Sequence, residues 1–426
     1  MRLGAPSAQG DKVALSDAAR RTFIASFLGW TLDAFDFFLL TFVVVRIGAS
    51  FGRSVAEVTF AITLTLMCRP LGALLFGWIA DRYGRRTPLM IDIALYSLLE
   101  LLTAFSPNFT TFLVLRALFG VAMGGEWGLG AAITMEALPV ERRGLFSGML
   151  QQGYMVGYLF AALVYFFVFQ FTHWDWRGLF VIGALPAVLI FYIRKNVPES
   201  PVWLAGRAQR MALPAGFLLK SLLAHLPLFV YVVLFMASLN GMSHGTQDLY
   251  ATFLQKQRGF SPGITSTLSI VAAFGAITGG ITWGALSQRI GRRATVMFCA
   301  VLAACAIPLW VFSPTIGLLG LGAFVMQFMV QGAWGVIPAH LNELSPSDVR
   351  GTFPGFTYQL GNLIAAGIAQ LEATTAQRFV LPSGVLNYAE AMALVVAAVL
   401  ACVIVLAAIG YAVRKERRDE AFAVSG

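Results

Sequence analysis

Long apolar segments alternate with short polar connections along almost the whole chain. Several of these segments reach about 18 residues, which lets a helix cross the roughly 30 Å hydrocarbon core of a bilayer. The predicted spans are 22–45, 58–80, 87–105, 109–137, 145–170, 178–194, 224–254, 263–286, 294–312, 316–341, 351–372 and 388–412. The pattern therefore predicts an all-α membrane protein with about 12 transmembrane helices.

Composition supports a membrane protein, because 58% of the 426 residues are hydrophobic and only 12% are charged. The net charge of +9 is compatible with nucleic-acid binding, but 22 of the 30 Lys and Arg residues fall on the side that holds both predicted termini. Excess positive charge marks the cytoplasmic side. We therefore predict cytoplasmic termini, a multi-pass protein of a bacterial-type inner membrane, and no nucleic-acid partner.

Enzyme chemistry is not indicated by any motif in the sequence. There is no phosphate-binding glycine loop and no nucleophile–base spacing. The four cysteines lie inside apolar segments without metal-ligand spacing. We expect no catalytic residues, no metal site and no bound cofactor.

The longest polar connection divides the chain into two halves of six spans. The predicted organisation is an N-terminal cytoplasmic segment at 1–21, a bundle at 22–194, a cytoplasmic linker at 195–223, a second bundle at 224–412 and a tail at 413–426.

The halves also repeat each other at an offset of 207 residues. The run 77–86 after the second span recurs at 284–293, Arg143-Gly144 recurs at Arg350-Gly351, and Trp127 recurs as Trp334. Since each half has an even number of spans, the two have the same orientation. Parallel halves that move about a central site are an architecture of membrane transporters.

The loop after the second span carries a Gly-x-x-x-Asp-Arg-x-Gly-Arg-Arg pattern. It consists of Gly77, Asp81, Arg82, Gly84, Arg85 and Arg86. This pattern closely resembles the loop signature of the major facilitator superfamily, and the span count and repeat extend the resemblance over the chain. The glycines permit a tight turn.

Asp81 can lie at the N-terminus of a neighbouring helix and pair with arginines, Arg143 among them. We interpret the set as a conformational latch; the alternative is a basic loop that only sets topology. Gln288 replaces the acid in the second copy, which argues against a latch there.

Ionisable residues within the spans are costly in a membrane, so each is a candidate site residue. They include Asp92 and Glu100, for which a packing role is at least as well supported, and Arg69, Asp33, Asp36, Arg116 and Glu126. Arg69 lies near the predicted midplane, as do Asp33 and Asp36, and we predict an Arg69–aspartate cluster with Asp36 as the preferred partner. The alternative is a buried pair that only fixes helix packing. Arg116 begins an Arg-x-x-x-Gly-x-x-x-Gly run typical of close helix packing. Arg116 and Glu126 are possible site residues.

The seventh span has the densest polar stretch of any span. Asn240, Ser243, His244, Gln247 and Asp248 fall within about 140° of one another on a helix. Such a stripe cannot face lipid, so it lines a cavity or packs against other polar helices. The offset pairs Asn240 and Ser243 with the two aspartates of the first span, so the two stripes should face each other.

The same stretch, ending at Thr252, fits Asn-x-x-(Ser/Thr)-His-x-(Ser/Thr)-Gln-Asp-x-x-x-Thr. It resembles the seventh-span signature of lactate and pyruvate permeases in the sialate:proton symporter family, as does Gly29–Asp36 in the first span. The resemblance implies proton-coupled uptake of small monocarboxylates through Asn240, His244, Gln247 and Asp248. Gln359 is similar to a glutamine tied to substrate recognition in that family.

These observations give two sets of candidate residues. The substrate-binding set is Arg69, Asn240, Ser243, His244, Gln247 and Gln359, and the proton-coupling set is Asp33, Asp36, His244 and Asp248. Arg69 can hold a carboxylate, while the proton carrier is left open among Asp36, His244 and Asp248. The expected partners are a small organic anion and the bilayer, with protons as the coupling ion and a monomer as the functional unit.

Three other functions remain open. One is a symporter of sialic acid or another larger organic acid. Another is a drug:proton antiporter, which shares the loop pattern. The last is a non-transporting nutrient sensor on the same fold.

Overall fold

The computed structural model describes residues 15–208, 214 and 216–413. In the first half, helices α1 to α10 are Asp17–Phe51, Val55–Tyr83, Arg86–Ala104, Phe109–Met123, Glu126–Ala137, Arg143–Gln151, Gly153–Phe171, Trp176–Ile182, Ala187–Asn196 and Pro201–Ala205. In the second half, α11 to α19 are Phe217–Ala224, Leu226–Gln247, Tyr250–Thr252, Pro262–Ile290, Arg292–Val311, Ile316–Leu344, Phe353–Ala365, Ile368–Ala376 and Tyr388–Val413. The predictions for 1–14, 209–213, 215 and 414–426 lie outside the described residues.

Eleven segments among the described residues are long and apolar enough to cross a membrane. The predicted eleventh span, 351–372, folds as two helices, α17 and α18, and neither is long enough alone. Counted as one interrupted span, the pair completes the twelve predicted helices. The all-α fold of the sequence prediction is therefore confirmed.

Several helices extend beyond their apolar cores. α1 begins at Asp17 rather than 22, because Ser16 caps it by accepting a hydrogen bond from the Ala19 amide. α2 begins at Val55, where Ser54 and Glu57 form a capping box. Hydropathy alone does not detect these polar caps, so the predicted spans are too short.

Glycines bring the helices of each half close together. A Cβ on Gly120 of α4 would lie 2.3 Å from the Thr65 carbonyl oxygen of α2, and one on Gly124 would lie 2.1 Å from that of Arg69. The close-packing interpretation of the Arg-x-x-x-Gly-x-x-x-Gly run is confirmed. The second half repeats the arrangement, with Gly275 of α14 against the Phe324 carbonyl.

The two halves touch at the end that carries the loop motifs. A Cβ on Gly148 would lie 2.4 Å from the Gly280 oxygen, and one on Gly128 would lie 2.7 Å from the Gly355 Cα. Further along the helices, residues of both halves line a cavity instead. On the predicted orientation, the structure is closed towards the cytoplasm and has its cavity in the outer part of the membrane.

Candidate functional site

A cavity of about 110 Å³ lies between the two halves. The N-terminal half contributes Trp30, Phe37, Leu66, Arg69, Gln151 and Tyr154. The C-terminal half contributes Asn240, Ser243, His244, Gln247, Asp248, Gln331, Trp334, Tyr358 and Asn362. The cavity thus joins the predicted cation of the second span to the complete polar stripe of the seventh.

Arg69 is held in place by an aspartate behind it. Its Nη2 donates to Asp33 Oδ2 over 2.8 Å, and the side chains are 6% and 1% exposed. Nε of Arg69 has no hydrogen-bond partner among the described residues. The ion pair orients a guanidinium that lines the cavity.

The preferred pairing of Arg69 with Asp36 was wrong. Asp36 lies one turn along α1 from Asp33, rotated about 60° around the axis, and is fully buried. A Cβ on Gly183 would lie 3.2 Å from Oδ1 of Asp36 and 2.7 Å from Cγ of Glu100. Asp36 therefore faces α3 and the segment after α8, and it does not line the cavity. The prediction that the stripes of α1 and α12 face each other therefore fails for Asp36, whereas Asp33 lies behind Arg69, which shares the cavity with Asn240 and Ser243.

The polar stripe of α12 is linked to its neighbours by side-chain hydrogen bonds. His244 Nδ1 lies 3.0 Å from Asp248 Oδ2, and His244 Nε2 lies 3.1 Å from Asn362 Oδ1 of α17. Gln247 Nε2 donates to Gln327 Oε1 over 3.0 Å. Because both ring nitrogens face oxygen atoms, a doubly protonated imidazole can donate to both.

The regular helix ends where this stripe ends. α12 stops at Gln247, a turn at Asp248 and Leu249 follows, and a π-helical turn occupies Phe253–Gln257 after the short α13. An uninterrupted span at 224–254 was predicted. Broken helices and π turns occur frequently at functional sites in membrane transporters. Thr252 lies beyond the break and lines neither cavity.

Aromatic rings close the cavity towards the loop end. Trp127 of α5 stacks on Tyr358 of α17 with 4.5 Å between ring centroids, and Trp334 of α16 meets the same ring edge-on at 5.7 Å. Trp127 Nε1 also donates to Gln151 Oε1 over 3.1 Å. This cluster of aromatic rings was not predicted, although Trp127 and Trp334 were recognised as repeat partners.

A second, larger cavity of about 290 Å³ adjoins the first and shares Tyr154, Gln247 and Asp248 with it. The remaining lining residues are Phe38, Met155, Tyr158, Thr246, Tyr250, Ala251, Ser269, Ala272, Ala273, Ala276, Trp310, Ala323 and Gln327. They are mainly aromatic or small, and they lie further along α1 and α12 towards the predicted outer face. We take this cavity as the approach to the polar site.

Three further candidate residues lie away from both cavities. Gln359 is 1% exposed, and neither of its amide atoms has a partner among the described residues. Its neighbours on α17, Tyr358 and Asn362, line the cavity in its place, since Gln359 is rotated about 60° from Asn362. The prediction that Gln359 lines the substrate cavity was wrong for this conformation.

Arg116 and Glu126 are the other two. Arg116 pairs with Glu100, donates to Thr103 over 3.2 Å, and lies over the Phe119 ring at 4.1 Å. Glu126 is buried against Gly29 of α1. Both therefore contact neighbouring helices within the N-terminal half.

Asp81 lies at the N-terminus of a helix in the other half, as interpreted from the sequence. Its Oδ1 accepts from the Gly351 amide at 2.6 Å, and its Oδ2 accepts from the Thr352 amide at 2.9 Å, just before α17 begins. Arg85 is 3.3 Å from Asp81 and also 3.3 Å from Glu136. The charged network joins the halves and is intact in this closed end.

The rest of the latch set supports this contact. Gly84 has a φ of 105°, which favours glycine, and a Cβ there would lie 2.3 Å from a Glu199 oxygen. Glu199 accepts from the amides of Arg85 and Arg86. A Cβ on Gly77 would lie 2.5 Å from the Thr352 Cα.

Two arginines complete the set. Arg143 Nε donates to the Met135 carbonyl over 3.0 Å, which ties α6 to α5. Arg82 lies over the Tyr83 ring at 5.7 Å and is partly exposed at the surface.

The second copy of the loop makes the corresponding contact with a neutral side chain. Gln288 Oε1 accepts from the Gly144 amide at 3.3 Å, at the start of α6, and from Arg292 at 2.8 Å. The sequence argued against a charged latch at this position. In the structure, the neutral Gln288 accepts a bond from the start of a helix in the other half, as Asp81 does in the first copy.

Comparisons with known proteins agree with this architecture. The family model of the Major Facilitator Superfamily matches residues 25–370. The chain is 29% identical to the carboxylic acid transporter protein homolog of Saccharomyces cerevisiae, over 90% of this chain and 67% of the yeast protein. It is 30% identical to the sialic acid transporter NanX of Escherichia coli, over 80% of this chain and 84% of that protein.

Solved structures share the fold at low identity. A double tryptophan mutant of XylE superposes with a TM-score of 0.75 at 17% identity, covering 96% of this chain and 98% of that one. The human organic anion transporter MFSD10 gives 0.66 at 18% identity, with 91% and 99% covered. The family match, the twelve-span fold and the repeated halves lead to one conclusion: the chain belongs to the major facilitator superfamily and is a multi-pass membrane transporter, not an enzyme.

Proposed function

We propose that this chain is a proton-coupled symporter that imports small monocarboxylates, such as lactate and pyruvate, by alternating access. The observation that carries the proposal is the polar cavity, where Arg69 of one half lies across from the His244–Asp248 pair of the other. A cation and a titratable pair in one cavity suit the joint binding of an anion and a proton.

Arg69 supplies the carboxylate site in this proposal. A guanidinium binds a carboxylate through two parallel hydrogen bonds, which fixes orientation as well as charge. Asp33 holds the guanidinium at 2.8 Å and keeps it from turning away. Asn240, Ser243 and Gln247 supply neutral donors and acceptors for the keto or hydroxyl oxygen of the acid.

The His244–Asp248 pair is the first candidate for the coupled proton. Imidazole titrates in the physiological range, and its 3.0 Å contact with Asp248 links the protonation of one side chain to the other. A proton bound with the anion leaves the loaded carrier with little added charge, which lowers the cost of moving it through the low-dielectric interior. Asp33 and Asp36 remain alternative carriers.

Closure and opening of the two halves would expose this site alternately to each side. The Asp81 network holds the loop end closed here, and its release would open that end. The remaining predictions belong to the same proposal: a bacterial inner membrane, cytoplasmic termini, division at the 195–223 linker, a functional monomer, and no cofactor besides protons.

The names of the relatives support an acid as substrate. The yeast relative is described as a carboxylic acid transporter homolog, and others transport sialic acid and niacin. A larger organic acid is the second candidate, because the adjoining cavity of about 290 Å³ has more room than the polar site itself.

The test is uptake of radiolabelled L-lactate into proteoliposomes with an inward proton gradient. We expect accumulation that collapses with an uncoupler and falls at least tenfold in Asp248→Asn, whereas Asp17→Asn, at an exposed position of α1, matches the wild type. Gradient-driven uptake of sialic acid or niacin without lactate uptake would replace the substrate but keep the mechanism. Folded protein that transports no acid would overturn the proposal.

A further inference from the structure

Glu372 of α18 is a buried carboxylic acid that the mechanism above does not use. It is 0% exposed in a segment that belongs to the interrupted eleventh span. Neither carboxyl oxygen has a hydrogen-bond partner among the described residues. An ionised carboxylate in such a place is costly, so the neutral acid is the form that fits the structure.

The surroundings of Glu372 are apolar except in one direction. A Cβ on Gly245 of α12 would lie 3.2 Å from Glu372 Oε1, 3.1 Å from Val396 and 3.5 Å from Ile368. Because Gly245 has no side chain, the Glu372 carboxyl group can approach the backbone of α12. Val396 is the contact from α19 and cannot titrate.

Two titratable side chains, His244 and Asp248, lie close to Gly245 along the chain. Gly245 directly follows His244, which contacts Asp248 over 3.0 Å, and an ionised Asp248 would repel an ionised Glu372. Asp248 and Glu372 are both acids, so a negative charge on one opposes a negative charge on the other. Glu390, the acid of α19, is tied to Asn387 at the start of that helix.

Both helices are interrupted at this level. α12 loses its regular hydrogen bonds after Gln247, and the eleventh span breaks at Ala366 and Gly367, just before α18. The acid therefore lies where two segments can shift relative to the rest of the bundle. A shift that opens a path to water would allow the buried proton to leave.

We propose that Glu372 is a second proton-binding site of the transport cycle, coupled through Asp248 to His244. This inference rests on the proposed proton symport. Glu372 carries its proton as a neutral acid in the conformation described here and gives it up, as a carboxylate, when the cavity opens to the other side. The proton passes from Glu372 to water on that side, and Glu372 takes up another proton from water when the site returns to the conformation described here.

The experiment compares Glu372→Gln with wild type and with Glu390→Gln in proteoliposomes. Gln keeps the shape of the neutral acid but cannot release a proton. We expect accumulation of lactate under an inward proton gradient to fall at least tenfold in Glu372→Gln, while lactate counterflow at equal pH stays within twofold. Glu390→Gln should match the wild type in both assays.

Each other outcome contradicts the proposal. Unchanged accumulation and pH dependence in Glu372→Gln would make Glu372 a permanently neutral packing group, and loss of counterflow in folded protein would assign it to substrate binding or to the conformational change. If Glu372→Gln does not fold, Glu372→Asp must shift the pH midpoint of accumulation with counterflow intact; an unshifted midpoint overturns the proposal. Wild type that accumulates no acid would instead reject the proposed function.

Discussion

The two halves repeat each other in their contacts at the loop end but not in their charges at membrane depth. Arg85 pairs with Glu136 at 3.3 Å, and 207 residues later Arg292 pairs with Glu343 at 2.8 Å. Within the membrane, by contrast, the positions equivalent to Arg69 and Arg116 are Ala276 and Ala323, which line the outer cavity.

The acids follow the same division. Asp33, Asp36 and Asp81 correspond to Asn240, Ser243 and Gln288 in the second half. The backbone arrangement is shared by the two halves, but these acids of the N-terminal half have neutral side chains at the equivalent positions of the C-terminal half.

The largest effect is expected where the halves differ most, at Arg69. Arg69→Ala gives the N-terminal half the residue of its repeat partner and removes the carboxylate site. We expect lactate uptake to fall about 100-fold, which corresponds to a loss of about 3 kcal/mol. Proteoliposome uptake measures the change.

The single substitution also leaves Asp33 buried without its partner. The control is the double variant Arg69→Ala with Asp33→Asn, which reproduces the Ala276 and Asn240 arrangement. It should regain thermal stability but not uptake. Substantial uptake by the double variant would show that Arg69 serves packing alone.

An effect on stability rather than on transport is expected at Arg116. Removing one partner of a buried ion pair costs about 3–5 kcal/mol because the other charge remains buried. Arg116→Ala or Glu100→Gln should therefore lower the unfolding temperature in detergent. The double variant Arg116→Met with Glu100→Leu has an apolar pair, as the second half does at the equivalent positions. It should recover most of the lost unfolding temperature.

The lactate KM of the folded Arg116 variants should match the wild type, because neither member of the pair lines a cavity. A tenfold rise in KM without loss of stability would place Arg116 in the transport pathway and contradict this assignment.

The smallest effect is expected at the loops. Asp81→Asn makes the first latch as neutral as the second, and weakens its bonds to the Gly351 and Thr352 amides by about 1–2 kcal/mol. Spin labels at Tyr83 and Ile290, exposed repeat partners in the two halves, should show the closed fraction of this end decreasing. Gln288→Ala, which loses the neutral bond to the Gly144 amide of the other half, should cause a smaller decrease. Equal effects of the two substitutions would show that charge is not what distinguishes the latches.

Sequence predicted the parts of the molecule that depend on periodicity along one helix. The apolar spans, the stripe on α12 and the position of Asp81 follow from spacing, and the structure agrees with them. Spacing identifies a helix face but not the helix that it meets. For that reason Asp36 was preferred to Asp33 as the partner of Arg69, and the burial of Gln359 away from the cavity could not be predicted.

The residues that the sequence did not identify also depend on contacts between helices. Glu372 is a lone acid in a weakly apolar segment, and its importance comes from Gly245 on a distant helix. In the sequence, Asn362 and Gln327 are ordinary polar residues. Only the structure shows that they contact His244 and Gln247, respectively. The breaks in α12 and the eleventh span depend on packing between helices, which hydropathy does not record.

The glycine contacts between the halves bear on how easily the transporter changes state. Gly128 meets Gly355, and Gly148 meets Gly280 and Gly284, so backbone approaches backbone with almost no side chain between. Few side chains interlock there, so the halves can separate without rotamer changes, although the close backbone contacts contribute dispersion energy. Hydrogen bonds and ion pairs add to these contacts, and a free-energy change of a few kcal/mol from one proton or one bound anion can shift the populations of closed and open ends.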